Sequence, residues 1–492
     1  MNRERIIYMI ILVSFSLALS SCQDFLDKQP LDTISKATFW KTQEDANKGL
    51  TACYGRLHNA YTGATHLGGS LFHSAGMSDE AFAPHLWDGN YNNVAKGLVE
   101  STSNGVTRDM WYTSYGAITT CNVFLENIDN VTMTEELRNR MKGEVLFLRA
   151  FWYNYLTAYY GDCPLITKVL TIEESQEIVR TPKAQVVSQI LADLDEAIAL
   201  LPDEIYAGHA VKGSAQALKA RVCLWNEQWT EAAAAAKAVM DNPLFDLHPE
   251  YLDLFNGNAE DGNKEILFSV KYLAPDIFHN IDQRLAGEFV VAPLEDYVAS
   301  FEKLAGWDEA SPFENRDPRL RLTIIVPGDP FPYSNPDDIF DPAVLGTQTQ
   351  YGLKKFIKVM SSASFPNDQD IVHLRLADVM LMYAEAKLKA GENDASALKA
   401  LNDVRARFGD TLPPKTILDM DAIMYERKIE LGFEGLRHFD IKRWKIGPEA
   451  MNNLVDPIAG NYFFDPNKHY LFPIPEQEMS IMGSAFGQNP GY

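Results

Sequence analysis

The chain has 492 residues, of which 46% are hydrophobic and 23% are charged, an ordinary balance for a folded protein. Its formal net charge of −23 excludes a nucleic-acid surface, which requires clustered positive charge, and disfavours electrostatic adhesion to an anionic membrane. The four cysteines beyond residue 22 form no Cys-x-x-Cys pair, and no His lies at metal-ligand spacing. We predict buried free thiols at Cys53, Cys121, Cys163 and Cys223.

The N-terminus has the features of an export signal. Arg3 and Arg5 precede an apolar run over residues 6–19, which is shorter than the roughly 20 residues that a membrane span needs. Leu19-Ser20-Ser21-Cys22 follows and resembles the lipobox of bacterial lipoproteins, in which the Cys is acylated and becomes the mature N-terminus. We predict a signal peptide over residues 1–21, lipidation at Cys22 and a lipid-anchored tether over residues 22–34. The alternative is an ordinary signal peptide with an incidental Cys.

Helical periodicity dominates the rest of the chain. The clearest start is Thr181-Pro182, a hydroxyl cap followed by Pro at the first helical position, and apolar residues then recur at helical spacing as far as Pro202. The glycines at positions 161, 391 and 409 fall where helix C-caps are expected. The same signals predict helices near residues 35–60, 109–128, 134–160, 183–201, 211–226, 229–241, 371–390, 394–408 and 420–433.

Two helix pairs, over residues 211–243 and 374–409, resemble each other at about the tetratricopeptide period, with Ala220 and Ala384 as small crossing residues. Together with the pair 134–160/183–201 they predict an all-α, or mainly α, fold: a tetratricopeptide-like helical-repeat scaffold in a single domain over residues 35–492.

Two long irregular regions, near residues 62–108 and 243–370, interrupt the helices. Both are rich in aromatic and polar residues, and the second contains short β-like runs over residues 265–272 and 320–326. Loops longer than about 15 residues in a compact protein are usually functional or disordered, and the aromatic content argues against disorder. We predict that these regions bind a ligand and carry a few short strands.

Several segments, in order along the chain, resemble a known family. They are residues 22–27 (CQDFLD) with Pro30; 111–128, ending in NVFLENI; 143–150 (GEVLFLRA), continuing to 160–165 (YGDCPL); 374–379 (LRLADV), leading to 383–386 (YAEA); 426–444 (ERKIELGFEGLRHFDIKRW); and 471–475 (LFPIP) with the closing 488–492 (QNPGY). Together they resemble the SusD/RagB family, surface lipoproteins that partner SusC-like TonB-dependent transporters of the bacterial outer membrane.

The resemblance implies an α-helical fold with four tetratricopeptide-like units and a loop-rich remainder that carries the ligand site. It also implies a non-catalytic protein, lipid-anchored on the cell surface, that sits over the transporter and delivers ligand into it. The usual ligands are oligosaccharides, and some members serve peptide uptake instead. Asp24 and Asp27 fit the acidic export signal of such surface lipoproteins.

The segment from His73 to Asn93 is the first candidate wall of a ligand site. A flat aromatic ring can cover the apolar face of a sugar, while amides and carboxylates bind its hydroxyl groups. Trp87, Asp88, Asn90 and Tyr91 supply this mixture within five residues. In the family the equivalent loop lines the ligand site. The alternative is a packed surface loop with a structural Trp.

The second candidate wall covers residues 272–307 and contains Tyr272, His279, Arg284 and Trp307. Gly306 and Asp308 flank Trp307, which favours an exposed position. The turn 315–319 (NRDPR) that follows resembles the family's Asp-x-Arg turn. The alternative is that these aromatic residues belong to the core or to an interface.

A charge ladder near the C-terminus invites a catalytic interpretation, because Glu430, Glu434 and Arg437 share one helix face and two carboxylates could act as acid and base. We favour a salt-bridged helix end, with Asp440 and Arg443 completing it, and the same for Glu144 and Arg149. No phosphate loop, Ser/His/Asp signature or metal cluster is visible. The sequence therefore predicts no cofactor, and leaves open a calcium ion at an Asp-rich loop such as 335–341.

Three alternatives to an oligosaccharide-binding lipoprotein stay open. The same architecture could bind peptides for uptake, because aromatic-rich loops serve both cargos. A secreted helical glycosidase would release reducing ends from a glycan. An adaptor protein would use its tetratricopeptide grooves for a protein partner and bind no small ligand.

Overall fold

A computed structural model describes residues 39–60, 70–85, 89–260, 262–392, 394–455, 457–458, 460–483 and 486–492. The predicted signal peptide, the tether with Cys22, and the candidate residues Trp87 and Asp88 lie outside these described residues.

Nineteen α-helices lie in the described part of the chain, and long ones alternate with short ones. They are α1 (Gln43–Ala60), α2 (Ser70–His73), α3 (Tyr91–Ala95), α4 (Val106–Asn127), α5 (Glu135–Tyr160), α6 (Ile172–Gln176), α7 (Lys183–Leu200), α8 (Lys212–Trp225), α9 (Trp229–Met240), α10 (Ile281–Ala286), α11 (Glu295–Ser300), α12 (Arg319–Thr323), α13 (Pro342–Leu345), α14 (Leu376–Lys389), α15 (Ala395–Ala406), α16 (Met420–Glu430), α17 (Arg437–Arg443), α18 (Gly447–Met451) and α19 (Glu476–Met482). The mainly α fold class predicted from the sequence is confirmed.

The long helices pack as a continuous array, in the order α1, α4, α5, α7, α8, α9, α14 and α15, with α16 also against α14. The predicted pairs α5/α7, α8/α9 and α14/α15 are therefore each formed. Ala220 of α8 and Ala384 of α14 are fully buried, as expected for small residues at helix crossings. A Cβ on Gly143 of α5 would lie 3.0 Å from Leu201 Cγ, so the glycine permits the close approach of the chain at the end of α7.

Local capping explains several helix ends. Thr134 precedes α5, and its side chain accepts a hydrogen bond from the Leu137 backbone N–H. Gly161, with φ of 72°, ends the same helix in a conformation that favours glycine. Asp394 caps α15 by accepting a hydrogen bond from the Ser396 N–H.

Six short strands form three two-stranded antiparallel sheets. They are β1 (Ala81–Phe82) with β3 (Ala292–Pro293), β2 (Ile266–Val270) with β6 (Ile371–Arg375), and β4 (Ile324–Ile325) with β5 (Gly352–Leu353). The β1–β3 sheet joins the two irregular regions, the β2–β6 sheet ties the second region to the start of α14, and the β4–β5 sheet lies within the second region.

Three details of the sequence prediction are wrong. Residues 371–375 are a buried strand paired with β2, so the predicted helix 371–390 begins only at Leu376. Residues 319–323 are a helical turn, and only Ile324–Ile325 of the predicted strand 320–326 pairs. Thr181 does not cap α7, because its hydroxyl accepts a hydrogen bond from the Leu165 N–H.

The thiols follow the prediction. Cys53, Cys121, Cys163 and Cys223 are all free and buried, three of them inside α1, α4 and α8. Burial raises the pKa of Cys163 and of Cys223 to about 12, which keeps these thiols protonated and unreactive.

Candidate functional site

The C-terminal charge ladder is structural. Glu430 is buried and lies within 3.3 Å of guanidinium nitrogens of Arg319, Arg375 and Arg407. Burial alone would raise its pKa, but the three arginines outweigh burial and hold the pKa at about 2. A carboxylate that is permanently ionised among arginines cannot act as a general acid near neutral pH.

The other ladder members are paired in the same way. Glu434 binds Lys355 and Arg375, Arg437 binds Asp79, and Asp440 lies between Arg427 and Arg443. The salt-bridged interpretation of the ladder is confirmed, but the shared helix face is wrong. α16 ends at Glu430, Glu434 lies in the turn that follows, and Arg437 begins α17.

Glu144 and Arg149, the second charged pair named from the sequence, are also structural. Each of them is bound to residues outside the ladder. Glu144 is buried and accepts hydrogen bonds from the Tyr54 hydroxyl and from His209, each at 2.7 Å. Arg149 forms a two-point ion pair with Asp193, with both nitrogen–oxygen distances 2.8 Å.

The first candidate wall is only partly described, because Trp87 and Asp88 lie outside the described residues. Asn90 has φ of 59°, and its amide donates to Asn104 Oδ1 at 2.5 Å, which fixes the start of α3. Tyr91 is 9% exposed, and its ring stacks on His73 with the centroids 5.6 Å apart. Asn90 is half-exposed, whereas Tyr91 is buried against His73.

The second candidate wall begins with a buried aromatic group. Tyr272 is 8% exposed and packs edge-on against His58 and His279. His279 is buried, and its Nε2 lies 2.9 Å from the Gln369 carbonyl oxygen. Burial lowers the pKa of His279 to about 4, so the ring is neutral near pH 7.

Glu288, the partner of Arg284, connects the two candidate walls. Arg284 lies on α10, is 4% exposed, and its Nη1 donates to Glu288 Oε2 at 2.7 Å. The carbonyl oxygen of Glu288 lies 3.2 Å from Nε2 of His85, which directly precedes the undescribed residues 86–88.

The β1–β3 pairing fixes this arrangement. Ala81 pairs with Pro293 and Phe82 with Ala292, and the Leu294 N–H donates to the Glu80 carbonyl oxygen at 3.0 Å. The two segments singled out from the sequence, although some 200 residues apart, are thus neighbours. We call the surface that they share the loop face: among the described residues, it comprises 81–85, 89–91, 284–296, 348–351, 453–455 and 457.

Trp307 has different neighbours. It is half-buried in a hairpin, where its indole N–H donates to the Pro312 carbonyl oxygen at 3.2 Å and Lys303 Nζ lies 3.6 Å from the ring centroid. In the following turn Asn315 is exposed, whereas Asp317 and Arg319 form a fully buried ion pair. These contacts hold Trp307 within its own loop and join it to none of the other candidate residues.

The structure adds a cavity of about 330 Å³ to the loop face, which the sequence did not indicate. Leu294, directly after β3, lines it together with Tyr351, directly before β5, and Val455. The polar rim is exposed and consists of Glu295, Asp296, Gln348, Gln350 and Asn453.

The floor of this cavity is fixed by a small separate hydrophobic cluster. Phe82, Leu294, Leu454 and Tyr462 belong to it, and the Tyr462 hydroxyl donates to the Ala81 carbonyl oxygen at 3.1 Å. The Tyr351 hydroxyl donates to Glu295 Oε2 at 2.6 Å, so an aromatic ring and an exposed carboxylate are held together at the rim. A buried floor with a rim of amides and carboxylates suits a hydroxyl-rich ligand.

Neither a metal centre nor a membrane span is found in the part of the chain that the structure describes. No group of three or more His, Cys, Asp or Glu side chains there is placed to hold a metal ion. In the Asp-rich loop 335–341, Asp338 accepts a hydrogen bond from the Asn335 N–H and Asp341 caps α13. None of the described helices combines the length and the apolar character that a bilayer crossing needs.

Comparison with known proteins identifies the class. A family model described as the SusD family matches residues 302–492, and a second, described as starch-binding and associating with the outer membrane, matches residues 24–224. The chain belongs to the SusD/RagB-like family.

Individual relatives match over nearly the whole chain. SusD-like protein P2 of Formosa agariphila is 28% identical over 99% of both chains. The crystal structure of a SusD-like carbohydrate binding protein from Bacteroides fragilis superposes with a TM-score of 0.79 at 25% identity, covering 90% of this chain and 99% of that one. A laminarin binding SusD-like protein gives a TM-score of 0.73 at 26% identity, covering 92% and 100%.

Proposed function

We propose that this protein is a non-catalytic lipoprotein of the outer-membrane surface that binds oligosaccharides at the loop face and passes them to a SusC-like TonB-dependent transporter. The single observation that carries the proposal is family membership along the whole chain, in a family whose solved members include a laminarin binding protein. The lipobox at Cys22 supports anchoring by acyl chains, each buried methylene adding about 0.8 kcal/mol.

The geometry of the loop face supports a carbohydrate as the cargo. Amides and carboxylates at the rim can bind sugar hydroxyls, and His85, two residues before Trp87 in the sequence, contacts Glu288 of the same surface. The ion-paired state of the ladder carboxylates supports binding without cleavage, since those groups are committed to arginines.

The direct test uses the full chain, purified in detergent, on arrays of oligosaccharides and peptides. We expect saturable binding to an oligosaccharide, no release of reducing ends, and a loss of affinity of about tenfold or more when Trp87→Ala removes the flat ring. Trp307→Ala is the matched control, because its ring is held within its own hairpin.

The alternatives give different results in the same experiment. Binding to peptides alone would transfer the proposal to peptide uptake, and reducing ends would indicate a glycosidase. Co-purification with a transporter without any small ligand would indicate an adaptor. Unchanged affinity in the Trp87→Ala variant would remove Trp87 from the site.

A further inference from the structure

A second cavity, of about 310 Å³, lies among the helices and shares no lining residue with the loop face. Its walls come from the last turns of α5, the start of α7, the turn between α8 and α9, and α17. We call it the lysine pocket, because Lys183, Lys442 and Lys445 all line it.

The charges of the pocket are unbalanced. Within the described residues, none of the three ammonium groups lies within 4 Å of a carboxylate oxygen, and Glu227 is the one acidic residue of the lining. Arg443 also lines the pocket, but it is already paired with Glu385 and Asp440. In a chain with a net charge of −23, three lysines that share a cavity without a paired carboxylate require an explanation.

The burial of Lys442 makes this charge imbalance energetically unfavourable. Lys442 is 6% exposed, and Lys355, a similarly buried lysine of the described chain, is in contact with the carboxylate of Glu434 at 2.7 Å. Lys442 Nζ donates instead to the Ala158 carbonyl oxygen at 3.1 Å, and the rings of Tyr159 and Phe472 lie 5.5 and 5.2 Å from it. An ammonium group has three N–H donors, and one carbonyl oxygen accounts for one of them.

The electrostatic state of Lys442 agrees with this geometry. Burial, followed by the neighbouring Lys183 and Lys445, lowers the pKa of Lys442 to about 7. Burial and Lys445 also lower the pKa of Lys183, while Glu227 and Asp162 act weakly in the opposite direction. An anion in the pocket would relieve this repulsion.

The pocket also has an aromatic wall. The ring of Trp225 stacks on Phe439 with the centroids 4.6 Å apart and an interplanar angle of 26°, and both residues line the cavity. The buried indole N–H of Trp225 has no hydrogen-bond acceptor in the described part of the chain.

We infer that the lysine pocket binds a small organic anion in which a carboxylate or sulfate group is attached to a ring. The anionic group would lie against Lys442 and Lys183, and the ring against Trp225. The volume is at the lower end for a small-molecule site, which suits a ligand of one or two rings. This inference does not rest on the proposed function, since the two cavities are built from different residues.

The test is calorimetric titration of the full chain with sodium glucuronate, and with glucose as the neutral compound of the same ring size. We expect glucuronate to bind with a Kd of about 1 mM or below, glucose not to bind, and added NaCl to weaken the glucuronate affinity. Lys442→Gln should weaken glucuronate binding about tenfold or more. Lys183→Gln should weaken it about threefold, because Lys183 is more exposed than Lys442. Lys219→Gln is the matched control, because Lys219 is paired with Asp195 outside the pocket.

The competing explanation is that Lys442 only caps the C-terminal end of α5. In that case Lys442→Gln lowers stability, but no anion-specific heat appears at about 10 mM glucuronate or sulfate, and the inference is wrong. Unchanged affinity in both Lys442→Gln and Lys183→Gln would overturn it equally. If Lys442→Gln does not fold, the double variant Lys183→Gln/Lys445→Gln tests the same pocket through its more exposed lysines.

Discussion

Arg375 and Glu434 form a two-point ion pair in the interior, with Nε and Nη2 of the arginine each 2.7 Å from a carboxylate oxygen. Arg375 lies where β6 ends and α14 begins, whereas Glu434 follows α16. Lys355, from the irregular region, binds the same carboxylate at 2.7 Å. The ion pairs of the charge ladder thus connect the helical array to the irregular region near residues 243–370.

Removing Arg375 should destabilise the protein strongly. Arg375→Met would leave Glu430, Glu434 and Glu265 with fewer cationic partners in a buried site. Breaking a buried ion pair from one side typically costs about 3–5 kcal/mol, because the remaining charge is uncompensated. Urea unfolding followed by circular dichroism would measure the change in the free energy of unfolding.

The control for this variant is an exposed ion pair. Lys48 and Glu44 lie on α1 with side chains 57% and 76% exposed, so Lys48→Met should leave the free energy of unfolding nearly unchanged. A cost of similar size in both variants would show that the ladder is not a principal source of stability.

Sequence reasoning predicted the helices best where local signals act alone. Asp394 caps α15 and Gly161 ends α5 as expected, because capping depends on neighbouring residues only. The strand over residues 371–375 was not predicted, because it forms by pairing with β2, about 100 residues earlier in the chain. Thr181 failed as a cap because a tertiary partner, the Leu165 N–H, competes for its hydroxyl.

The candidate site was predicted less completely for the same reason. Segments 73–93 and 272–307 were found by composition, and β1–β3 pairing does bring parts of them together. The cavity beside them is assembled from three short segments near Leu294, Tyr351 and Asn453, none of which has a motif of its own. The amide-rich run TQTQY over residues 347–351 is the one local signal that could have indicated it.

Glu80, at the base of the loop face, should make a contribution to stability that decreases as pH rises. Burial, followed by the charge of Asp79, raises the pKa of Glu80 to about 8. The unfolded value is about 4.3, so the folded protein holds one extra proton between these two pH values. The stabilising contribution of the protonated group is complete below pH 4.3 and is lost as pH rises towards 8.

Glu80→Gln tests this directly, because its amide stays neutral. The free energy of unfolding of the variant minus that of the unmodified protein should rise with pH, by up to about 1.4 kcal/mol per unit between pH 5 and 8. Other titrating groups, such as His279, cancel in the difference. Asp79→Asn should instead destabilise at every pH in this range, since it removes the partner of Arg437 and Lys428. A flat difference curve would contradict the assignment.

The thiols should be unreactive in the folded protein. All four described cysteines are buried and free, and burial raises the pKa of Cys163 and of Cys223 well above the physiological range. We expect negligible labelling by Ellman's reagent under native conditions and four thiols per chain in urea without reductant, when Cys22 is acylated. Cys53→Ala should lower that count to three. Rapid native labelling, or fewer than four thiols in the unfolded protein, would contradict this picture.

The amide rim of the loop-face cavity should contribute to ligand affinity. Gln350 and Asn453 are exposed at the rim, on segments about 100 residues apart in sequence. Because a typical hydrogen bond contributes about 0.5–1.5 kcal/mol, Gln350→Ala and Asn453→Ala should each weaken oligosaccharide binding by about two- to tenfold. Titration calorimetry with the best ligand from the array would measure both affinities. Asn258→Ala, an exposed amide that does not line the cavity, is the matched control. If both rim variants retain full affinity while Trp87→Ala loses it, the ligand lies on the first candidate wall and does not enter this cavity.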